Sequence, residues 1–327
     1  MEATAGYRER PTGLVLNMFG KYFIQWLLLI AVIILSMANS NFRQLANIEN
    51  ILLQSAFTGI GAAGMTLLIM TGAFDLSVAG LLGLCGVALA LLVPLVGIVP
   101  SIIAVLVLGA LLGVTNGLVV PKIRIPAFIA TLGMMNIYLA VAFILTDAQV
   151  ISVIEKQFRA LGTGTMFGVL PIPFVVMIIT YLIFAGILHF ATYGRYIRAV
   201  GSNETAGRVA ALPVDRVRIF AFGLVGLATA LASVFLTALL SSANAIMATG
   251  YELNVIAVVV VGGTSLYGGR GTLFGSLTGA LFFAVINNAL NMFGVAAYWQ
   301  YVAVGFILIV ALGIEAVRRR LMGFDRE

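Results

Sequence analysis

Long apolar runs alternate with short polar or glycine-rich breaks from near the N-terminus to near the C-terminus of this chain. At 1.5 Å rise per residue, about 20 apolar residues cross a bilayer. Ten runs are candidates: 22–38, 50–70, 76–93, 96–120, 126–146, 169–190, 217–240, 253–266, 272–293 and 298–316. The eighth is too short to span comfortably unless it begins earlier, near Ala243. Otherwise it is a broken or re-entrant helix, tolerated where protein or a cavity covers its backbone. The pattern predicts an all-α, polytopic transmembrane bundle of about ten spans, with one or more broken or re-entrant helices.

Composition narrows this further. Of 327 residues 62% are hydrophobic and 9% charged, against about 25% charged in soluble domains. A mean hydropathy of +1.13 over the whole length requires a solvent other than water for much of the surface, so residues 1–327 read as a single membrane domain. The first run follows Arg8, Arg10 and Lys21, and Ser36-Met37-Ala38 resembles a cleavage site. It is longer than the roughly 7–15 apolar residues of a signal peptide and further spans follow, so it reads as the first span.

The net charge of +6 and pI near 9.7 do not indicate nucleic acid, because the basic residues sit between apolar runs and form no basic arm. They test the span count instead, since Lys and Arg accumulate on the cytoplasmic side. With the N-terminus inside, the cytoplasmic segments hold Arg8, Arg10, Lys21, Lys122, Arg124, Arg195, Arg198, Arg208, Arg216, Arg218, Arg270, Arg318, Arg319, Arg320 and Arg326. The other side keeps Arg43, Lys156 and Arg159. One miscounted span in the middle would reverse the bias downstream. Both termini are therefore expected in the cytoplasm, with the chain in contact with membrane lipid.

Candidate chemistry is sparse. No GxxxxGK[ST] phosphate loop occurs, and the glycine-rich stretch 262–275 lacks lysine, so the chain does not bind ATP in that way. The single cysteine, Cys85, lies in an apolar run, which excludes an intrachain disulfide and reads as a packed thiol. His189 falls at a span end and reads as interfacial. Asp75 precedes an apolar run and is a candidate N-cap, or a group at the inner end of a substrate path. Glu252 caps the eighth run or contacts an external partner. Gly59, Gly61, Gly64, Gly275 and Gly279 lie within spans, where small residues allow close helix approach. A five-residue echo links 72–76 to 262–266.

The loop 191–217 is the longest basic one. Asn203 suits the cap of a short helix, Glu204 its first turn, and Pro213 its end. Ala206, Val209, Ala210 and Pro213 then form one small apolar face with Arg208 pointing away. The residues alone leave open whether that face docks on a partner or lies on the membrane surface.

Four segments carry a resemblance. Residues 64–78, GMTLLIMTGAFDLSV, are similar to the GMTxVIxTGGIDLSVG segment of permeases in ribose, galactose and xylose type ABC importers. RIPAFIATLG at 124–133 resembles that family's RIPxFIxTLG. YGRYIRAVGSN at 193–203 resembles its FGRxxYAxGGN loop. YELNVIA at 251–257, with VGGTSL at 261–266 and GRG at 269–271, resembles YELDAIAxVVxGGTSLxGGRG. Order and spacing hold from about Asn50 to Ala316.

The resemblance implies a transport subunit, not an enzyme, with no cofactor bound by this chain. ATP and Mg would be used by a separate cytoplasmic ATPase. Further expected partners are a periplasmic or lipid-anchored sugar-binding protein and a second permease copy or paralogue. It also implies that 191–217 is the ATPase coupling loop, with Arg195, Arg198, Gly201, Asn203, Glu204, Arg208 and Pro213 as its candidate residues. The cargo would be a monosaccharide or related polyol. Polar residues within spans, Asn116, Thr131, Asn136, Asn287 and Asn288, together with Phe74 and Asp75, are candidates for the substrate path; helix-to-helix hydrogen bonding is the alternative role for the amides and hydroxyls. The sequence departs from the pattern at Ala73-Phe74, where GI is usual, at Asn254, where Asp is usual, and at Ala211-Leu212-Pro213, where SGI is common. Phe74 would reshape the path toward a non-standard sugar or polyol. Rival readings are an ABC permease for nucleosides or branched-chain amino acids, and an ion-coupled secondary transporter, which would need a buried titratable group in mid-span.

Overall fold

A computed structural model describes residues 22–123 and 125–321 of the chain. Arg8, Arg10, Lys21, Arg124 and Arg326, which entered the charge count, lie outside these residues. The described chain is helical almost throughout. Its helices are α1 (Phe23–Ala38), α2 (Leu45–Ile69), α3 (Val78–Val96), α4 (Ile98–Ile123), α5 (Ala127–Thr146), α6 (Lys156–Thr163) and α7 (Ile172–Phe190). They continue as α8 (Thr192–Ser202), α9 (Glu204–Val209), α10 (Val214–Leu240), α11 (Tyr251–Val261), α12 (Leu273–Met292) and α13 (Ala297–Leu321). Two small antiparallel ladders join loops, Ile151–Ser152 with Ser242–Ala243 and Thr165–Met166 with Leu170–Pro171.

Each of the ten apolar runs carries a helix. Seven of these are long and apolar enough to cross a membrane: α2, α3, α4, α5, α7, α10 and α12. The short eighth run gives α11, which begins at Tyr251 and not near Ala243. Its 11 residues cover about 16 Å, roughly half a hydrocarbon core of about 30 Å.

The inner helices are α2, α3, α10 and α12, whose spans are mostly buried, whereas α4, α5 and α7 turn much of their length outward. The outward positions are apolar, as at Leu111, Ile144 and Leu182. A surface of that kind is stable only against lipid or another apolar chain. Between helices the packing relies on missing side chains. Gly109, Gly113 and Gly117 of α4 face Gly226, Phe222 and Ile219 of α10 so closely that a Cβ on any of the three would meet the opposite helix. Such approach replaces the hydrophobic drive that lipid does not supply. Cys85 is fully buried among apolar side chains of α3, α4 and α5, with Leu81, Val105 and Ala142.

Candidate functional site

Three helices, α2, α11 and α12, are bound into one unit. Thr66 and Ser276 hydroxyls pair at 2.7 Å, and the Asn288 amide donates to Asn47 Oδ1 at 2.8 Å, both joining α2 to α12. The Tyr251 hydroxyl donates to the Phe57 carbonyl at 2.9 Å and stands over Gly61, tying α11 to α2. Gly262 of the α11 end and Gly275 of α12 meet backbone to backbone.

Between these helices lies a cavity of about 70 Å³ lined by Gln54 and Thr58 of α2, Asn254 and Val258 of α11, and Ala280, Phe283, Ala284 and Asn287 of α12. Gln54 and Thr58 are four residues apart and so share one helix face. Among the described residues the Gln54 and Asn287 amides have no hydrogen-bond partner in the protein, whereas the Asn254 amide donates to the Gly250 carbonyl at 3.1 Å. The lining offers donors and acceptors but no ionisable group. That volume holds about two waters, so a larger solute would need a wall from outside this chain.

The other polar candidates gather elsewhere. Asp75, Ser77, Asn116 and Thr131 have no accessible surface, and Tyr138 is nearly buried. The Asp75 carboxylate accepts from the Ser77 amide at 2.8 Å and from the Asn116 side chain at 2.9 Å. The Asn116 amide also reaches Ser77 Oγ at 2.7 Å, while its oxygen accepts from the Tyr138 hydroxyl at 2.8 Å. Thr131 Oγ1 accepts from the Leu76 amide at 3.1 Å. The network thus pins the turn between α2 and α3 to α4 and α5. The cap expected at Asp75 takes another form: α3 starts after Ser77, and Asp75 closes an Asx turn before it. Phe74 is half-buried against Phe128, ring centroids 6.5 Å apart. Asn136 donates to the Leu132 carbonyl of its own helix on an exposed face. Glu252 sits in the first turn of α11, where Gly250 is the cap residue.

The segment 191–217 folds as α8, α9 and the start of α10. Asn203 caps α9 by accepting from the Ala206 amide at 2.9 Å, and α9 ends at Val209, before Ala211 at φ 56° and ahead of Pro213. Arg208 bridges Glu204 at 3.0 Å and Asp215 at 2.8 Å, and Arg218 reaches Glu204 at 2.6 Å. Partial burial pushes Glu204 up, but Arg218 and Arg208 outweigh it and hold the carboxyl below its ordinary range. Asp215, then Glu204, raise the Arg208 guanidinium. Arg195 bonds Thr192 at 3.2 Å, and the Arg198 carbonyl accepts from Ser202. On the outer face Ala206, Val209 and Ala210 are exposed, Val209 at 85%.

Gln54, Thr58 and Asn254 were not singled out as lining by sequence reasoning. The i, i+4 pair on α2 was the available signal, but the meeting of α2 with α11 is tertiary.

Residues 47–312 match the family model described as branched-chain amino acid transport system / permease component. The ribose import permease protein RbsC of Escherichia coli (strain K12) is 39% identical over 293 residues, 88% of this chain and 91% of that protein. RbsC of Bacillus subtilis (strain 168) is 39% identical over 88% of this chain and 90% of that protein. The L-arabinose transport system permease protein AraH of Escherichia coli (strain K12) is 34% identical over 92% and 93% respectively. No solved structure gives a significant match.

Proposed function

Because this chain belongs to the branched-chain amino acid transport system / permease component family, and is a transport subunit and not an enzyme, we propose that it carries a monosaccharide or related polyol across the bacterial inner membrane as the permease of an ATP-driven importer. The observation that carries the choice of cargo is the cleft lined by Gln54, Thr58, Asn254 and Asn287. Its amides and hydroxyl exchange hydrogen bonds with a neutral polyhydroxylated solute. A zwitterionic amino acid would bring two charges to a lining with no ion to meet them, at a large desolvation cost. The named cargoes of the relatives, ribose and L-arabinose, fit the same chemistry.

In this reading the bundle has about ten spans, with α11 a half-length helix and both termini in the cytoplasm. Residues 191–217 form the coupling loop, and the exposed face of Ala206, Val209 and Ala210 docks on a cytoplasmic ATPase that uses ATP and Mg. A sugar-binding protein delivers solute from the other side, and a second permease copy or paralogue supplies the opposite wall of the cleft. The fully paired Asp75, Asn116 and Thr131 hold the turn beside the path, and the solute meets Asn287 and its neighbours. Inside each permease, ATP-driven motion moves near-rigid helix groups.

The test is uptake in proteoliposomes holding the permease with the ATPase and binding protein encoded beside it. Labelled pentose accumulating with ATP, and labelled leucine not, is the expected result. Leucine uptake in place of sugar uptake overturns the cargo, and sugar uptake without any ATPase overturns the ATP-driven reading.

A further inference from the structure

The helices that line the cleft meet again at their far ends. α2 ends at Ile69 and turns through Met70 to Gly72, and α11 ends at Val261 and turns through 262–272 into α12. Both turns close on the C-terminal end of α8. A Cβ added at Gly201 would overlap the Met70 carbonyl oxygen and come to 2.5 Å from the Gly269 amide nitrogen. That same amide donates to the Met70 carbonyl at 3.0 Å. A Cβ at Gly268 would stand 2.8 Å from the Gly201 carbonyl and 2.9 Å from the Gly72 nitrogen, and one at Gly269 would stand 2.8 Å from Ser202 Oγ. Gly72, Gly268 and Gly269 all have positive φ, which favours glycine by conformation, and at Gly268 and Gly269 the close neighbours exclude a side chain by space as well. Three backbones thus touch with no side chain between them.

Each side of this contact is attached to something larger. On one side stands the unit of α2, α11 and α12, held by the Thr66–Ser276, Asn47–Asn288 and Tyr251–Phe57 hydrogen bonds. On the other, Gly201 lies two residues before Asn203, the cap of α9, and Glu204 next to it is ion-paired to Arg218 of α10. Close-packed backbone does not compress, so displacement on one side is delivered to the other.

We propose that the junction of Gly201 with Met70 and Gly269 is the mechanical link by which movement of the coupling segment reaches the cleft, with Gly201 a positioning residue that touches no solute. The proposal rests on the reading of 191–217 as the coupling loop. It separates two roles within that loop: the outer face of α9 receives the ATPase, and the inner end of α8 passes the motion on.

The experiment compares Gly201→Ala with Gly133→Ala, where a Cβ meets nothing within 4 Å, in the assembled complex of permease, ATPase and binding protein. Gly201→Ala is expected to lower sugar uptake about tenfold or more while ATP hydrolysis stays within about twofold of the parent, because forced overpacking shifts the backbone at the link and not at the docking face. Gly133→Ala is expected to change neither. Unchanged uptake in Gly201→Ala overturns the link, as does an equal fall in uptake and hydrolysis. A Val209→Asp complex that binds the ATPase and is driven by it as the parent is would instead sink the coupling-loop reading itself. Should Gly201→Ala fail to accumulate, spin labels on the otherwise parental chain decide the matter. On nucleotide trapping, the separation of Ser202 from Tyr267 is expected to hold while that of Ser202 from Gly133 changes; a changing first pair, or no change in either, overturns the link.

Discussion

Around Asp75 the polar side chains are sealed and partnered, whereas around Asn287 they border a cavity. Both clusters sit within one apolar bundle and both are built on amides. Asn116 spends its amide nitrogen on Asp75 and Ser77 and its oxygen on Tyr138, and it has no accessible surface. Asn287 borders the cavity with Gln54, Thr58 and Asn254. A polar group removed from water must find a partner or lose several kcal/mol. The first cluster finds partners inside the chain and acts as a clamp. The second leaves its capacity open, which a neutral solute can use. The lesson is that a polar residue in a spanning helix has no role until its partners are known.

The largest expected effect comes from opening the sealed cluster. Asp75→Ala leaves the Ser77 amide and one Asn116 donor buried without acceptors, a cost of about 3 kcal/mol. Thermal unfolding in detergent is expected to show a clear fall in midpoint, with Asp75→Asn, which keeps an acceptor, much closer to the parent. An Asp75→Ala chain as stable as the parent would break the contrast between the clusters.

The next test makes one substitution at two places. Asn116→Ala is expected to lower stability by about 2 kcal/mol, while Asn287→Ala leaves the melting midpoint in place. Combining Asn254→Ala with Asn287→Ala is expected to raise the KM for uptake about tenfold, near 1.4 kcal/mol, at unchanged stability. If the two-site variant melts early and transports normally, the cleft is a structural contact. A third change sharpens the comparison by leaving both clusters alone. Val209→Asp, on the exposed face of α9, is expected to weaken ATPase association about tenfold with no change in melting, measured by titration of the labelled ATPase onto permease in nanodiscs.

The smallest effect is one of pH. Glu204 has its carboxyl lowered from its ordinary 4.5 by Arg218 and Arg208 against the opposing push of burial. A group with a depressed native pKa contributes stability above its unfolded value and loses it as pH falls through the native one. The mobility of a spin label at Thr205 is therefore expected to stay constant from neutral pH down to about 5 and to rise only below the ordinary 4.5. Apart from Arg218 the paired side chains are well exposed, so the change is modest. A transition between pH 6 and 7 would point to a different group.

Much of the fold was legible in the chain. Apolar run length placed the helices of the ten runs within about five residues of their observed ends, though not the short α6 and α8, because a helix that spans lipid must satisfy its own backbone and needs about 20 apolar residues to do so. Asn203 announced the start of α9 because a cap is a local bond, closed within three residues. The cap proposed at Asp75 shifted because the side chain bonded the Ser77 amide and Asn116 instead, and Asn116 lies 41 residues away. Asn136, Asn287 and Asn288 read alike in sequence, yet one bonds its own helix at Leu132, one borders the cavity and one bonds Asn47.

The sequence by itself determined a helical membrane chain, the positions of the helices in its ten apolar runs, the capped segment at 203–209 and the absence of a phosphate-binding loop, since each depends on neighbours within a few turns or on composition alone. Only the tertiary structure decided which polar side chains face a cavity, which are consumed in a clamp, and that Gly201 touches Met70 and Gly269. Those outcomes depend on helices distant in sequence coming within hydrogen-bond or van der Waals reach, and apolar periodicity carries no record of which helix faces which.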